Sequence, residues 1–328
     1  MTRITKVILG IVLILVVVLA GGYIYFQASF PKVGSPLEVT VESTPELVDQ
    51  GEYLANNVAV CIDCHSQRNF RYFSGPIVPG TEGHGGDVFN EEMGVPGEIY
   101  AKNITPKSLG AWTDGEIIRT ITTGVSRDGT ALFPIMPYRA YRYMATEDVR
   151  AIVAYIRSLE PGGDIQYPER RLNFPLNLLV NTIPQEAAPK TKPEPQDTLA
   201  YGEYLTNIAA CKDCHTPSEK GNFIEGMEFA GGMEFKFPSG AIVRSMNITS
   251  DTETGVGDWS KEQFIAKFKM YESPDAHRME VPKDGMNTVM PWTMYAGMTE
   301  QDLGAIYEYL QTVKPVKNEV LRFSAASR

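Results

Sequence analysis

The sequence predicts a mainly α-helical protein, with one membrane-spanning helix at the N-terminus followed by two tandem domains of a common fold. Three observations carry this reading. Residues 7–26 are uncharged and mostly apolar. The pentapeptide Cys-x-x-Cys-His occurs twice, as Cys61-Ile62-Asp63-Cys64-His65 and Cys211-Lys212-Asp213-Cys214-His215, and these sites use all 4 cysteines of the 328 residues. Around both pentapeptides the same short motifs recur in the same order.

The apolar segment comes first. Twenty helical residues at about 1.5 Å each span about 30 Å, the thickness of a bilayer core. Arg3 and Lys6 precede it and are expected to stay in the cytoplasm, which sends the rest of the chain outward. Tyr23, Tyr25 and Phe26 suit an aromatic belt at the outer interface. The competing reading, a cleaved signal peptide, requires an unusually long apolar region, and no clear A-x-A site follows. The expectation is a retained single-pass anchor in the cytoplasmic (inner) membrane, residues 1–30, with the body on the periplasmic side. Residues 31–44 form a linker.

The repeated bodies are assigned to residues 45–160 and 198–314. Gly51-Glu52-Tyr53-Leu54 returns as Gly202-Glu203-Tyr204-Leu205, Asn103-Ile104-Thr105 as Asn247-Ile248-Thr249, and Met136-Pro137-Tyr138 as Met290-Pro291-Trp292. Trp112 and Trp259 follow the second motif in each copy. A period near 150 residues means tandem domains, since solenoid units are far shorter. Each copy opens with a short helix, after Pro45 and near Asp197, and glycines 51 and 202 let it cross close to the closing helix against Tyr155 and Tyr309. The closing helix reads Val149, Ile152, Val153, Ile156, Leu159 in one copy and Leu303, Ile306, Tyr307, Leu310, Val313 in the other, the i, i+3, i+4, i+7 spacing of one buried face. Thr146 and Thr299 are the expected N-caps, and Pro161 and Pro315 the stops. No strand alternation of any length is present. Seven prolines between Pro161 and Pro195 mark 161–197 as a stiff extended linker, although 172–183 is apolar enough to lie on a domain surface. Residues 315–328 form a C-terminal tail.

Cys-x-x-Cys-His is the attachment pattern of haem c: both thiols add to the porphyrin and the adjacent histidine binds the iron. The cofactor expectation is therefore two covalently bound haem c groups. Cys61, Cys64, Cys211 and Cys214 carry the attachments, and His65 and His215 are the proximal iron ligands. A four-cysteine zinc site is the alternative, but it leaves the histidines and the duplication without a purpose. Of the thirteen methionines, Met136 and Met290 stand before Pro-aromatic, 71 and 75 residues after their histidines and 19 before the tyrosine of the closing helix. They are the expected distal ligands, and a six-coordinate iron leaves no open site for chemistry. His84 and His277 have no counterpart in the other copy and read as solvated loop residues. Trp112 and Trp259 either line a haem edge or pack in the core. Asn103 and Asn247 either cap a turn or bond a propionate.

With these residues in hand, the chain resembles class I cytochrome c domains, above all those of the membrane-associated multihaem cytochrome subunits of bacterial alcohol, aldehyde and gluconate dehydrogenases. The nearest match runs through Phe229-Ala230-Gly231-Gly232, the stretch from Asn247-Ile248-Thr249 to Gly257-Asp258-Trp259, and Met290-Pro291-Trp292. Those subunits usually carry three haem domains, against two here. The resemblance implies a non-catalytic subunit of a respiratory complex. It would relay electrons between a quinol- or dehydrogenase-side donor and an acceptor such as a soluble cytochrome or terminal oxidase. A dihaem peroxidase and a gas-binding sensor are the competing readings, and each needs a haem with an open or releasable distal position. The 30 basic and 40 acidic residues give a net charge of −10. That argues against nucleic acid as a partner, and it serves either plain solubility or steering toward a basic docking face on a redox protein.

Overall fold

Residues 2–219, 221–282 and 285–326 are described in a computed structural model of the chain. Seven helices of nine residues or more organise them: α1 Arg3–Ser29, α2 Pro45–Tyr53, α3 Asp114–Thr123, α4 Thr146–Ser158, α5 Thr198–Ile208, α6 Lys261–Lys269 and α7 Glu300–Thr312. Helix α1 has a mean hydropathy of 3.0 along its most apolar stretch, with none of that stretch buried, and is long and apolar enough to cross a membrane.

Each later helix starts where its sequence supplies a cap. Thr44 accepts from Leu47 N at 3.3 Å ahead of Pro45, and Asp197 accepts from Ala200 N at 3.4 Å. Reciprocal capping boxes, Thr113 with Glu116 and Ser260 with Gln263, open α3 and α6. Thr299 caps α7, accepting from Asp302 N at 3.1 Å. Its expected counterpart Thr146 does not cap α4. It is the first helical residue, and the cap position is Ala145, which is fully buried. The Ala145 N–H instead donates to Tyr204 Oη in the other half at 3.0 Å. Helices α4 and α7 end at Ser158 and Thr312, three residues before their prolines.

In the first half α2 packs along α4, and in the second α5 packs along α7. The segments flanking the repeats are less free than their prolines suggest. Arg171–Leu172 adds an edge strand to Gly97–Tyr100, which also pairs with Val88–Phe89. Phe323–Ser324 does the same for Ile242–Arg244, which pairs with Glu234–Lys236. Both sheets are antiparallel, and strands of two to four residues are too short to leave an alternation in the sequence. Val180, in the apolar part of the linker, is fully buried. Ahead of the first half, Val41 N donates to Asp114 Oδ2 at 2.8 Å. Residues 327 and 328 of the tail lie outside the described residues.

The halves share one continuous buried cluster, in which Leu54, Val58, Val149 and Ile152 join Leu205, Ile208, Leu303 and Ile306. The seam is reciprocal. The one-turn helix Tyr138–Tyr141 rests on α5, and its counterpart Trp292–Tyr295 rests on the turn Leu54–Val58 that continues α2. Two buried aspartates clasp it. Asp148 accepts from Tyr204 Oη of the other half at 2.6 Å and from its own half's Gln50 Nε2 at 2.6 Å. Asp302 accepts from Tyr53 Oη of the other half and from its own half's Tyr201 Oη at 3.0 Å. Burial, and next the adjacent carboxylate, holds the Tyr201 and Tyr204 phenols well above their usual range, so both remain donors. Such self-complementary pairing is what a two-fold association of like surfaces produces.

Asp302→Ala strands the hydroxyls of Tyr53 and Tyr201. An unpaired buried polar group costs about 1–3 kcal/mol. The variant is expected to lower the urea midpoint, with Asp302→Asn losing less because it keeps an acceptor. An unchanged midpoint for Asp302→Ala would show that the clasp contributes nothing.

Candidate haem-binding sites

Both pentapeptides sit in the same backbone cradle. The opening helix of each half runs to a residue in the left-handed region, Val60 (φ 46°) and Ala210 (φ 52°), which turns the chain into a one-turn helix holding the cysteines, Cys61–Cys64 and Cys211–His215. A β-branched valine at positive φ is a rare and costly conformation, of the kind that gathers at functional sites. The carbonyl just before each turning residue is held by a buried tyrosine. Tyr141 Oη donates to Ala59 O at 2.7 Å and Tyr295 Oη to Ala209 O at 2.8 Å.

The histidines are oriented alike. His65 Nδ1 lies 2.6 Å from Lys102 O, and His215 Nδ1 lies 2.7 Å from Met246 O. A carbonyl can only accept, so Nδ1 carries the proton and Nε2 keeps its lone pair. This is how metal-binding imidazoles are fixed. Burial also holds both imidazoles below their usual pKa, leaving them neutral. The backbone closes behind them: Gly85 N donates to His65 O at 2.8 Å, and Gly231 N to His215 O at 2.7 Å. Burial pushes the Cys61 and Cys211 thiols up to about 12. Among the described residues no three His, Cys, Asp or Glu side chains gather into a metal-holding group, so the four cysteines do not converge on a zinc ion. Thiols paired on one turn beside an imidazole with a bare Nε2 are the donor set that covalent haem requires.

Met136 and Met290 are half-buried against the shared core. Each opens a tight turn, Tyr138 N donating to Met136 O and Trp292 N to Met290 O, both at 2.8 Å. The asparagines are turn caps. Asn103 Oδ1 accepts from Thr105 N at 2.8 Å and Asn247 Oδ1 from Thr249 N at 2.9 Å, while their amides donate to Gly162 O and Val316 O, both at 2.7 Å. They pin the segment after each closing helix. Trp112 packs against the core, whereas Trp259 is 37 % exposed. His84 and His277 are half-buried. His84 lies against Gly162, and His277 Nε2 donates to Tyr271 O at 3.2 Å.

The two sites differ in charge. Asp63 forms a buried ion pair with Arg68 at 3.0 Å, and Arg68 also faces Asp87 at 3.4 Å. Burial, opposed by Arg68, pushes the Asp63 carboxyl up to about 7. In the second half burial pushes Asp213 up to about 6, opposed by Arg139, which comes from the first half, and Lys212.

No protein-family model matches the chain. It is 28 % identical over 302 residues to the cytochrome c subunit of a quinone alcohol dehydrogenase from Komagataeibacter europaeus, a match covering 86 % of this chain and 59 % of the relative. It is 27 % identical over 300 residues to the fructose dehydrogenase cytochrome subunit of Gluconobacter japonicus, covering 86 % and 56 %. The chain resembles the cytochrome c subunits of sugar and alcohol dehydrogenases. The gluconate 2-dehydrogenase cytochrome c subunit of Pantoea cypripedii, 26 % identical over 288 residues with 83 % and 60 % covered, extends the series. The chain spans about three fifths of the length of these relatives.

Proposed function

We propose that the chain is a membrane-anchored dihaem c-type cytochrome built of two tandem class I cytochrome c domains, residues 45–160 and 198–314. Helix α1 tethers them to the periplasmic face of the cytoplasmic membrane. Cys61, Cys64 and His65 hold one haem with Met136 as distal ligand. Cys211, Cys214 and His215 hold the other with Met290. Bound haem supplies one-electron transfer. The protein supplies fixed imidazoles, a closed distal side and a shared core that keeps the two attachment turns in one rigid relation. The chain relays electrons from a quinol- or dehydrogenase-side donor to a soluble cytochrome or oxidase-side acceptor as a subunit of a respiratory complex. The names of its relatives support the dehydrogenase side of that partnership.

The observation that carries this reading is the matched pair of histidines, each with Nδ1 tied to a carbonyl beside a Cys-x-x-Cys turn. Protein matured in a host that attaches haem c is expected to contain two haems per chain by pyridine haemochrome assay. The variant Cys211→Ala/Cys214→Ala is expected to contain one and still stain for haem after denaturing electrophoresis. A single haem in the parent, or none, rules the reading out. Rapid peroxide turnover with a reduced cytochrome donor would replace it with the peroxidase alternative.

A further inference from the structure

The loop that follows the first pentapeptide is bound to the loop that carries Met290 in the other half. Ser74 is fully buried with φ 68°. Its hydroxyl donates to Met290 O at 2.6 Å and accepts from Trp292 N at 2.9 Å, so it brackets the methionine's backbone from both sides. Ser74 N donates to Asn287 Oδ1 at 2.9 Å, and the Asn287 amide returns to Phe70 O at 2.9 Å and Tyr72 O at 3.2 Å. Phe73 N donates to Met279 O at 2.8 Å, and the Phe73 ring stacks on Tyr271 with centroids 5.6 Å apart. Behind Ser74 stands Arg68, donating to Ser74 O at 2.7 Å and Gly75 O at 3.0 Å while its guanidinium meets Asp63 at 3.0 Å. An unbroken chain of contacts thus runs from inside the first Cys-x-x-Cys-His motif, through Arg68 and Ser74, to the backbone of Met290. Among the described residues Met136 has no cross-half bond of this kind.

We propose that Ser74 is a positioning residue for Met290, so that the first half holds the distal ligand of the second half's haem. The proposal rests on the reading of Met290 as that ligand. It makes the dependence one-way: the second site needs the first half's loop in place, and the Met136 site has no such requirement. The hydroxyl bonds both ends of the turn that Met290 opens, adding to the 2.8 Å bond from Trp292 N to Met290 O and fixing that turn against the first half.

The test uses full-length, haem-loaded protein with Ser74→Ala, and with Ser74→Gly as the second variant. Glycine accepts φ 68° without strain, so it removes the hydroxyl without a backbone penalty if the alanine variant folds poorly. The readouts are the methionine-sulfur-to-ferric-iron charge-transfer absorption and the cyanide affinity of each ferric haem, assigned in Met136→Ala and Met290→Ala backgrounds. Loss of the hydroxyl is expected to raise cyanide affinity at one haem by about tenfold to a hundredfold and to weaken its charge-transfer band. That gain should persist in the Met136→Ala background and vanish in the Met290→Ala background. Cyanide affinities within about twofold of the parent in both Ser74 variants, with Met290→Ala strongly altered, overturn the positioning role alone. A gain that persists in the Met290→Ala background also overturns it. If Met290→Ala leaves both charge-transfer bands intact, the ligand reading falls and takes the proposal with it.

Discussion

Gly51→Ala and Gly202→Ala are each expected to destabilise the protein by about 3 kcal/mol or more, against the gain of roughly 1 kcal/mol that this exchange brings in an unconstrained helix. The sign reverses because of what a methyl group would meet. A Cβ on Gly51 would lie 1.8 Å from Ala151 O and 2.8 Å from Tyr155 Cβ, and one on Gly202 would lie 2.0 Å from Ala305 O and 3.0 Å from Tyr309 Cβ. The nearest atom in each case is backbone, which cannot swing aside, so the opening and closing helices must separate. Separation loosens the rows that bury Leu54 and Val58 against Ile152, and Leu205 and Ile208 against Ile306. It also displaces the left-handed residues at 60 and 210, and with them the cysteine turns. Urea denaturation followed by circular dichroism, with haem content measured in parallel, should show a lower midpoint and reduced occupancy for each variant. Parent-like midpoints would mean that the helices have slack at the crossing.

Those glycines were legible in the sequence, since each opens the repeated Gly-Glu-Tyr-Leu motif ahead of its pentapeptide and faces a recurring tyrosine. The same repetition exposed the histidines, the asparagines and the closing helices, because each serves its own half. What crosses between halves was hidden. Tyr53 and Tyr204 belong to a repeated motif, yet nothing in a linear pattern says that each hydroxyl is received by the other copy's aspartate. The recurrence of Tyr141 as Tyr295 was a usable signal for the residues that hold the attachment turns. Val60 and Ala210 gave none, because neither residue type favours positive φ and only the surrounding packing imposes it. Ser74 has no partner in the other copy. Short edge strands from 161–197 and 315–328 escaped for a simpler reason: two residues cannot display a period.

Met136→Ala and Met290→Ala are expected to have the largest functional effects, each confined to one haem. Axial-ligand identity is the strongest lever a protein has on a haem, moving reduction potentials over a range of about 0.8 V, and histidine–methionine pairs lie toward its upper part. With Met136 and Met290 as the proposed distal ligands, removing the thioether would open the sixth position. One ferric haem per variant should therefore turn from low-spin to high-spin, bind cyanide, and titrate at a lower potential, while the other keeps its parent values. The structural cost is smaller than for a core position, about 1–2 kcal/mol, because both methionines are only half-buried. The two variants should also differ from each other. At Met290 the main chain is clamped by Ser74 from the first half, which Asn287 of the Met290 loop holds in turn, so truncating the side chain leaves its loop in place. Met136 lacks that clamp among the described residues, and its loop has more freedom to rearrange. Spectroelectrochemical titration of the purified protein separates the outcomes. Two low-spin haems with parent potentials in Met136→Ala would mean that another side chain, His84 first among them, fills the distal position of the first haem.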